Sequence, residues 1–207
     1  MEVLLLHGAD VTLQDESLVT PLHLASSDGK VDSMELLIQY GADVNARDDG
    51  DWTPLHVASS EGKVDTMELL IQHGADVNAR DEGDWTPLHL TSSEGKVDSM
   101  ELLIQYGADV NARDDNDWTP LHLALTNLSA DPMRVLIQHG ADVTARNKSH
   151  STPLHLASSM GEEASSMRLL IQHGADVNAQ DKNNSTPLHL VILRVSAEFA
   201  VIHPALG

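Results

Sequence analysis

The string Thr-Pro-Leu-His begins at Thr20, Thr53, Thr86, Thr119, Thr152 and Thr186, in steps of 33, 33, 33, 33 and 34 residues. A second string, Gly-Ala-Asp-Val, begins at Gly8, Gly41, Gly74, Gly107, Gly140 and Gly174 with the same steps. Residues 20–52 and 53–85 are identical at 28 of 33 positions. A fixed period of this length restricts the chain to a stack of one repeated supersecondary unit, in which each copy contacts only its neighbours.

The unit itself reads as two helices and a turn. Pro54 suits a first helical turn, where its missing N–H costs nothing, and Thr53 before it can cap that helix. Leu55, Val57 and Ala58 give the helix one apolar face, and Gly62 ends it. Val64, Met67, Leu69, Leu70 and Ile71 have the spacing of a second helix, closed by Gly74. The segment from Asp76 to Trp85 is polar and rich in Asp and Gly, as a turn or hairpin finger requires. The recurring Met34, Met67, Met100, Met133 and Met167 fill the core from the second helix. Two such short helices cannot bury their apolar faces alone; stacked copies can.

At these residues the chain resembles the ankyrin repeat family. Thr53, Pro54, Leu55, His56 and Ala58 match the opening of its unit, Gly62 its inter-helix turn, Leu69, Leu70 and Ile71 its second helix, and Gly74, Ala75, Asp76, Val77 and Asn78 the start of its finger. The resemblance covers nearly the whole chain. It implies an all-α solenoid of stacked helix pairs with short β-hairpin fingers, working as a protein–protein interaction scaffold and not as an enzyme. It also implies that His23, His56, His89, His122, His155 and His189 hydrogen-bond between neighbouring turns. A shared metal site for these histidines is unexpected on geometry, since successive layers lie about 10 Å apart.

The expected organisation is a single array over residues 1–207. It has a truncated leading unit (1–19), full units at 20–52, 53–85, 86–118, 119–151 and 152–185, and a degenerate terminal unit (186–207). The 119–151 unit replaces the inter-helix Gly with Leu128, and Asp131-Pro132 then offers a fresh helix start. The 152–185 unit has one extra residue between Gly161 and Met167. In the last unit a first helix fits, and a short second one should end at Pro204. The cut start and the apolar end favour a fragment of a longer array.

Charge narrows the partners. The 32 Asp and Glu against 12 Lys and Arg give a formal net charge of −20. Such a surface repels nucleic acid and anionic membranes and favours a basic protein. The absence of Cys removes disulfides, thiolate metal sites and a Cys nucleophile. The start, Met-Glu-Val-Leu-Leu-Leu-His-Gly, is acidic and its apolar run short, unlike a signal peptide. No run approaches the ~18 apolar residues of a membrane helix. A cytoplasmic or nuclear, non-secreted monomer without cofactor or metal is therefore expected. No phosphate-cradling loop, His-Glu-x-x-His or Gly-x-Ser-x-Gly is present.

The resemblance implies binding through finger tips and first helices, which line a concave groove. The tips read Asp48-Asp49-Gly50-Asp51-Trp52, Asp81-Glu82-Gly83-Asp84-Trp85 and Asp114-Asp115-Asn116-Asp117-Trp118. The candidate binding residues are Asp49, Asp51, Trp52, Glu61, Glu82, Asp84, Trp85, Glu94, Asp115, Asp117 and Trp118. Trp beside carboxylates suits Lys or Arg, by cation–π contact plus charge; the same Trp could equally pack between fingers. Arg47, Arg80, Arg113 and Arg146 run alongside and neutralise part of the acid. Gly50, Gly83 and Asn116 are the expected positive-φ residues of the tips. The pattern stops at Lys148 to Ser151. A second reading makes the array the targeting or scaffold segment of a larger protein whose other domains carry another activity.

Overall fold

The computed structural model describes the backbone of residues 1–127, 129–160 and 164–202. Twelve helices occur among them: α1 (Glu2–Leu6), α2 (Pro21–Asp28), α3 (Val31–Gln39), α4 (Pro54–Glu61), α5 (Val64–Gln72), α6 (Pro87–Glu94), α7 (Val97–Gln105), α8 (Pro120–Ala124), α9 (Asp131–Gln138), α10 (Pro153–Met160), α11 (Ala164–Gln172) and α12 (Pro187–Ile202). Sustained helix packing runs only within a unit and between adjacent units. This is the layered helix-pair stack that the period requires.

Each first helix starts the same way for the same reason. Thr53 is extended at φ −97°, its hydroxyl accepts the His56 amide, and Pro54 follows at the first helical position. Gly62 closes α4 in the left-handed region at φ 67°, where a side chain would be strained. The core is aliphatic: Leu22, Met34, Leu55, Met67, Leu70, Leu88, Met100, Leu103, Leu121, Met133 and Leu136 are fully buried. The recurring Met and Leu are thus layer-filling residues.

One expected departure is visible. The helix of the 119–151 unit is re-entered at Asp131, so α9 survives while α8 shortens to five residues. Asn127, in the loop between them, donates through Nδ2 to the Ser92 and Ser93 carbonyls at 2.8 and 3.1 Å and so covers the end of α6. Leu128, the extra residue after Gly161 and the helix end at Pro204 lie outside the described residues. The last unit differs from expectation, because one continuous helix, α12, runs through Pro187–Ile202 where a helix pair was anticipated. Its Val-Ile-Leu-Arg-Val run contains neither Gly nor Pro to break it.

The fingers are tight hairpin turns, and no β-strand is formed among the described residues. The Asp48 amide donates to the Trp52 carbonyl at 3.0 Å and the Asp51 amide to the Asp48 carbonyl at 3.1 Å. One such ring of bonds suffices to reverse the chain, without extended pairing on either side.

Candidate interaction surface

The finger is organised by a carboxylate that the charge count treats as mere acid. Asp48 Oδ1 accepts the Gly50 amide at 2.9 Å and the Trp52 amide at 2.8 Å. Asp81 and Asp114 repeat both bonds in their fingers. With the turn pinned this way, the residue between those two amides must take the left-handed conformation. That residue is Asp51, Asp84 or Asp117, each at φ 60°, and not Gly50, Gly83 or Asn116 as the sequence suggested. Asp tolerates this region better than most side chains. The same geometry recurs at Leu18, His150 and Asn184, so it belongs to the unit and not to one residue type.

The left-handed turn aims these carboxylates at their own finger's Arg. Arg47 lies 3.4 Å from Asp51, Arg80 3.4 Å from Asp84 and Arg113 3.6 Å from Asp117. Both partners are about half exposed, so each pair is worth at most about 1 kcal/mol. Each Arg also reaches forward one layer. Arg47 Nη1 donates to the Arg80 carbonyl at 2.8 Å, Arg80 to Arg113 at 2.8 Å and Arg113 to Arg146 at 2.9 Å.

Trp52, Trp85 and Trp118 are half-buried. Trp52 Nε1 donates to Asp81 Oδ2 of the next finger at 3.2 Å. Each indole leans on the histidine four residues further along, in the first helix that its finger leads into, with ring centroids 6.2, 6.1 and 5.7 Å apart. Asp49, Glu82 and Asp115 stand exposed at the finger tips. Glu61 and Glu94 are the exposed last residues of α4 and α6. The tips and indoles therefore form one column, and Glu61 and Glu94 a second one on the helices.

The histidines bridge the layers. His56 Nδ1 accepts the Thr53 amide at 3.1 Å, which leaves Nε2 as the donor to the Trp85 carbonyl at 3.2 Å. His23, His89, His122 and His155 repeat the bridge to the next finger. Burial holds the His56 and His89 imidazoles below their ordinary pKa and takes His122 down to about 4, against the opposing pull of the accepting carbonyl. All three are neutral structural donors at neutral pH.

A further bridge escaped the sequence reading. Asn45 Nδ2 donates to the Gly74 carbonyl at 3.0 Å while its Oδ1 accepts the Asp76 amide at 2.8 Å. Asn78 and Asn111 repeat the pair with Gly107 and Asp109, and with Gly140 and Asp142. The signal was present as Asn at 33-residue intervals, but inside the family signature it carried no separate message.

Fold and surface together define a repeat scaffold that presents ordered columns of side chains. Family models for ankyrin repeats match residues 1–81, 77–147 and 136–191. The chain belongs to the ankyrin repeat family, whose arrays are interaction modules and typically not enzymes. No curated protein matches the chain. Among the described residues, no helix is long and apolar enough to cross a membrane.

Proposed function

We propose that this array is a protein-recognition scaffold whose acidic, tryptophan-bearing middle binds a basic protein segment. The observation that carries the reading is the repeated pairing of a half-open indole with exposed carboxylates in three successive fingers. An indole face attracts an ammonium or guanidinium by about 0.5–2 kcal/mol, and flanking carboxylates add Coulomb attraction that salt screens. Trp is also the residue type most often found at binding hot spots. The Arg47, Arg80 and Arg113 guanidiniums offset Asp51, Asp84 and Asp117, so Asp49, Glu82 and Asp115 supply the exposed tip charge that no Arg offsets.

The test uses a labelled Lys-rich peptide and fluorescence anisotropy. Replacing Asp49→Asn, Glu82→Gln and Asp115→Asn together removes charge from exposed tips and leaves the turn-forming Asp48, Asp81 and Asp114 in place. Binding should weaken at least tenfold and lose most of its salt dependence. Trp52→Ala, Trp85→Ala and Trp118→Ala should weaken it further, provided circular dichroism reports an intact fold. Affinity indifferent to salt and to both sets of changes would remove the assignment.

A further inference from the structure

The finger tips are linked by backbone bonds at one fixed register. The Asp49 amide donates to the Ser17 carbonyl at 3.0 Å, Glu82 to Gly50 at 3.2 Å, Asp115 to Gly83 at 3.0 Å, Lys148 to Asn116 at 2.9 Å and Lys182 to Ser149 at 3.0 Å. These five residues occupy the same place in successive fingers, and all five are exposed. Their side chains therefore form one column, which reads Asp, Glu, Asp, Lys, Lys. The sign of the charge reverses between Asp115 and Lys148.

Two other columns change at the same layer. The left-handed position reads Asp51, Asp84, Asp117 and then His150, Asn184. The position that closes α4 and α6 reads Glu61 and Glu94, and its equivalents are Asn127 in the α8–α9 loop and Met160 at the end of α10. Arg146 keeps the forward bond of its ladder, to the Gln180 carbonyl at 3.0 Å, but His150 stands where its predecessors have a pairing carboxylate. Asp181, the one acid in the tip at 181–185, has Oδ1 taken by the Asn183 and Ser185 amides. The tip at 147–151 is thus net cationic, and at 181–185 Lys182 balances Asp181, on a chain of formal charge −20.

Screening decides whether that local sign matters. At physiological salt the Debye length is about 8 Å, shorter than a layer repeat of about 10 Å. A bound side chain consequently responds to its own layer more than to the total charge. A layer also corresponds to about three residues of extended chain at ~3.3 Å each.

We propose that the ridge takes an extended protein segment in one charge order, with basic side chains over the three tryptophan fingers and acidic side chains over Lys148 and Lys182. This rests on the basic-segment reading above and adds the other half of the ligand. The matching pattern is Lys-x-x-Lys-x-x-Lys-x-x-Glu-x-x-Glu. A uniformly basic segment meets repulsion at the two lysines, so the sign change fixes register as well as affinity.

The experiment compares that peptide with one carrying Gln at the two Glu positions, against the full chain and its Lys148→Glu, Lys182→Glu variant. Both lysines are exposed, so the variant keeps the fold. The Glu peptide should bind the native chain about fivefold tighter than the Gln peptide, and the variant should reverse that preference. Equal binding of the two peptides, or a preference that the substitutions leave unmoved, overturns the proposal. If the Gln peptide binds in a Trp-dependent way without discrimination, only the charge order falls and the basic-segment reading stands. If neither peptide binds, both fall. Sedimentation of the native chain as a dimer that the double substitution dissolves would make the column a self-association surface, and that too overturns it.

Discussion

The layer-bridging histidines show how one side chain ties a repeat to the next. His122 accepts the Thr119 amide at Nδ1 (3.2 Å) and donates from Nε2 to the Ser151 carbonyl (3.3 Å). Only the neutral ring can do both, and burial lowers its pKa to about 4. The unfolded chain has His near 6.5. Below 6.5 the unfolded state takes up the proton and the folded state does not, so stability falls with pH until the folded value is reached. Between pH 6.5 and 4 this one residue removes up to about 3 kcal/mol, and His56 and His89 act in the same direction. Urea titrations at pH 7 and pH 5 should give a lower midpoint at pH 5. His122→Gln should be less stable at pH 7 but show a flatter pH dependence; an unchanged slope would exclude this histidine as a source. The role was legible only through the family resemblance that the recurring Thr-Pro-Leu-His carries, not from the spacing itself. The left-handed Asp51, Asp84 and Asp117 were not, because composition pointed to the neighbouring Gly50 and Gly83. What decides is the Asp48-type carboxylate holding the amides on either side, and such a bond has no mark in a one-dimensional pattern.

At the scale of the finger, the asparagine bridges separate strong junctions from weak ones. Asn45, Asn78 and Asn111 each make two bonds to the next finger, at its Gly carbonyl and Asp amide. At the equivalent places stand Thr12 and Thr144, whose hydroxyls turn back to Asp10 and Asp142 of their own fingers, both at 2.7 Å. The junctions following those two fingers therefore lack this asparagine link. Thr144→Asn should supply it by reaching the Gly174 carbonyl and the Asp176 amide. With about 0.5–1.5 kcal/mol net per hydrogen bond, the gain should be about 1–2 kcal/mol. Slower amide exchange across residues 174–190, with little change over residues 53–85, would carry the point. Exchange left as it was would mean that the Thr-capped turn is as good a junction. Asn78→Ala should cost a similar amount in the middle of the stack. The sequence displays both the Asn period and its two interruptions. What it does not display is that the amide faces the next layer, since register between layers follows from packing and not from spacing along the chain.

For the whole molecule, stability is a sum over layers and junctions, so it need not be uniform. Interior layers have a neighbour on each side: Leu37, Leu70 and Leu103 keep 3%, 0% and 0% exposure. Leu4, one period before Leu37, is 66% exposed, with Val3 and Leu6 at 69% and 67%. At the other end Ile192 and Leu193 of α12 are 57% and 64% exposed. The junctions after Thr12 and Thr144, which lack the Asn link, flank the same middle that carries the three Asn bridges. The two ends should consequently open before the middle does. All three Trp, at positions 52, 85 and 118, report on that middle, whereas far-ultraviolet circular dichroism averages over every helix. In urea the dichroism transition should begin at lower denaturant than the Trp fluorescence transition and be broader. Native-state amide exchange should follow the same order, fast at residues 1–8 and in α12 after Leu190, slow across 53–118. Coincident optical transitions with even protection would mean that the array unfolds as a single two-state unit, so that the bridges in the middle communicate fully with the bare ends.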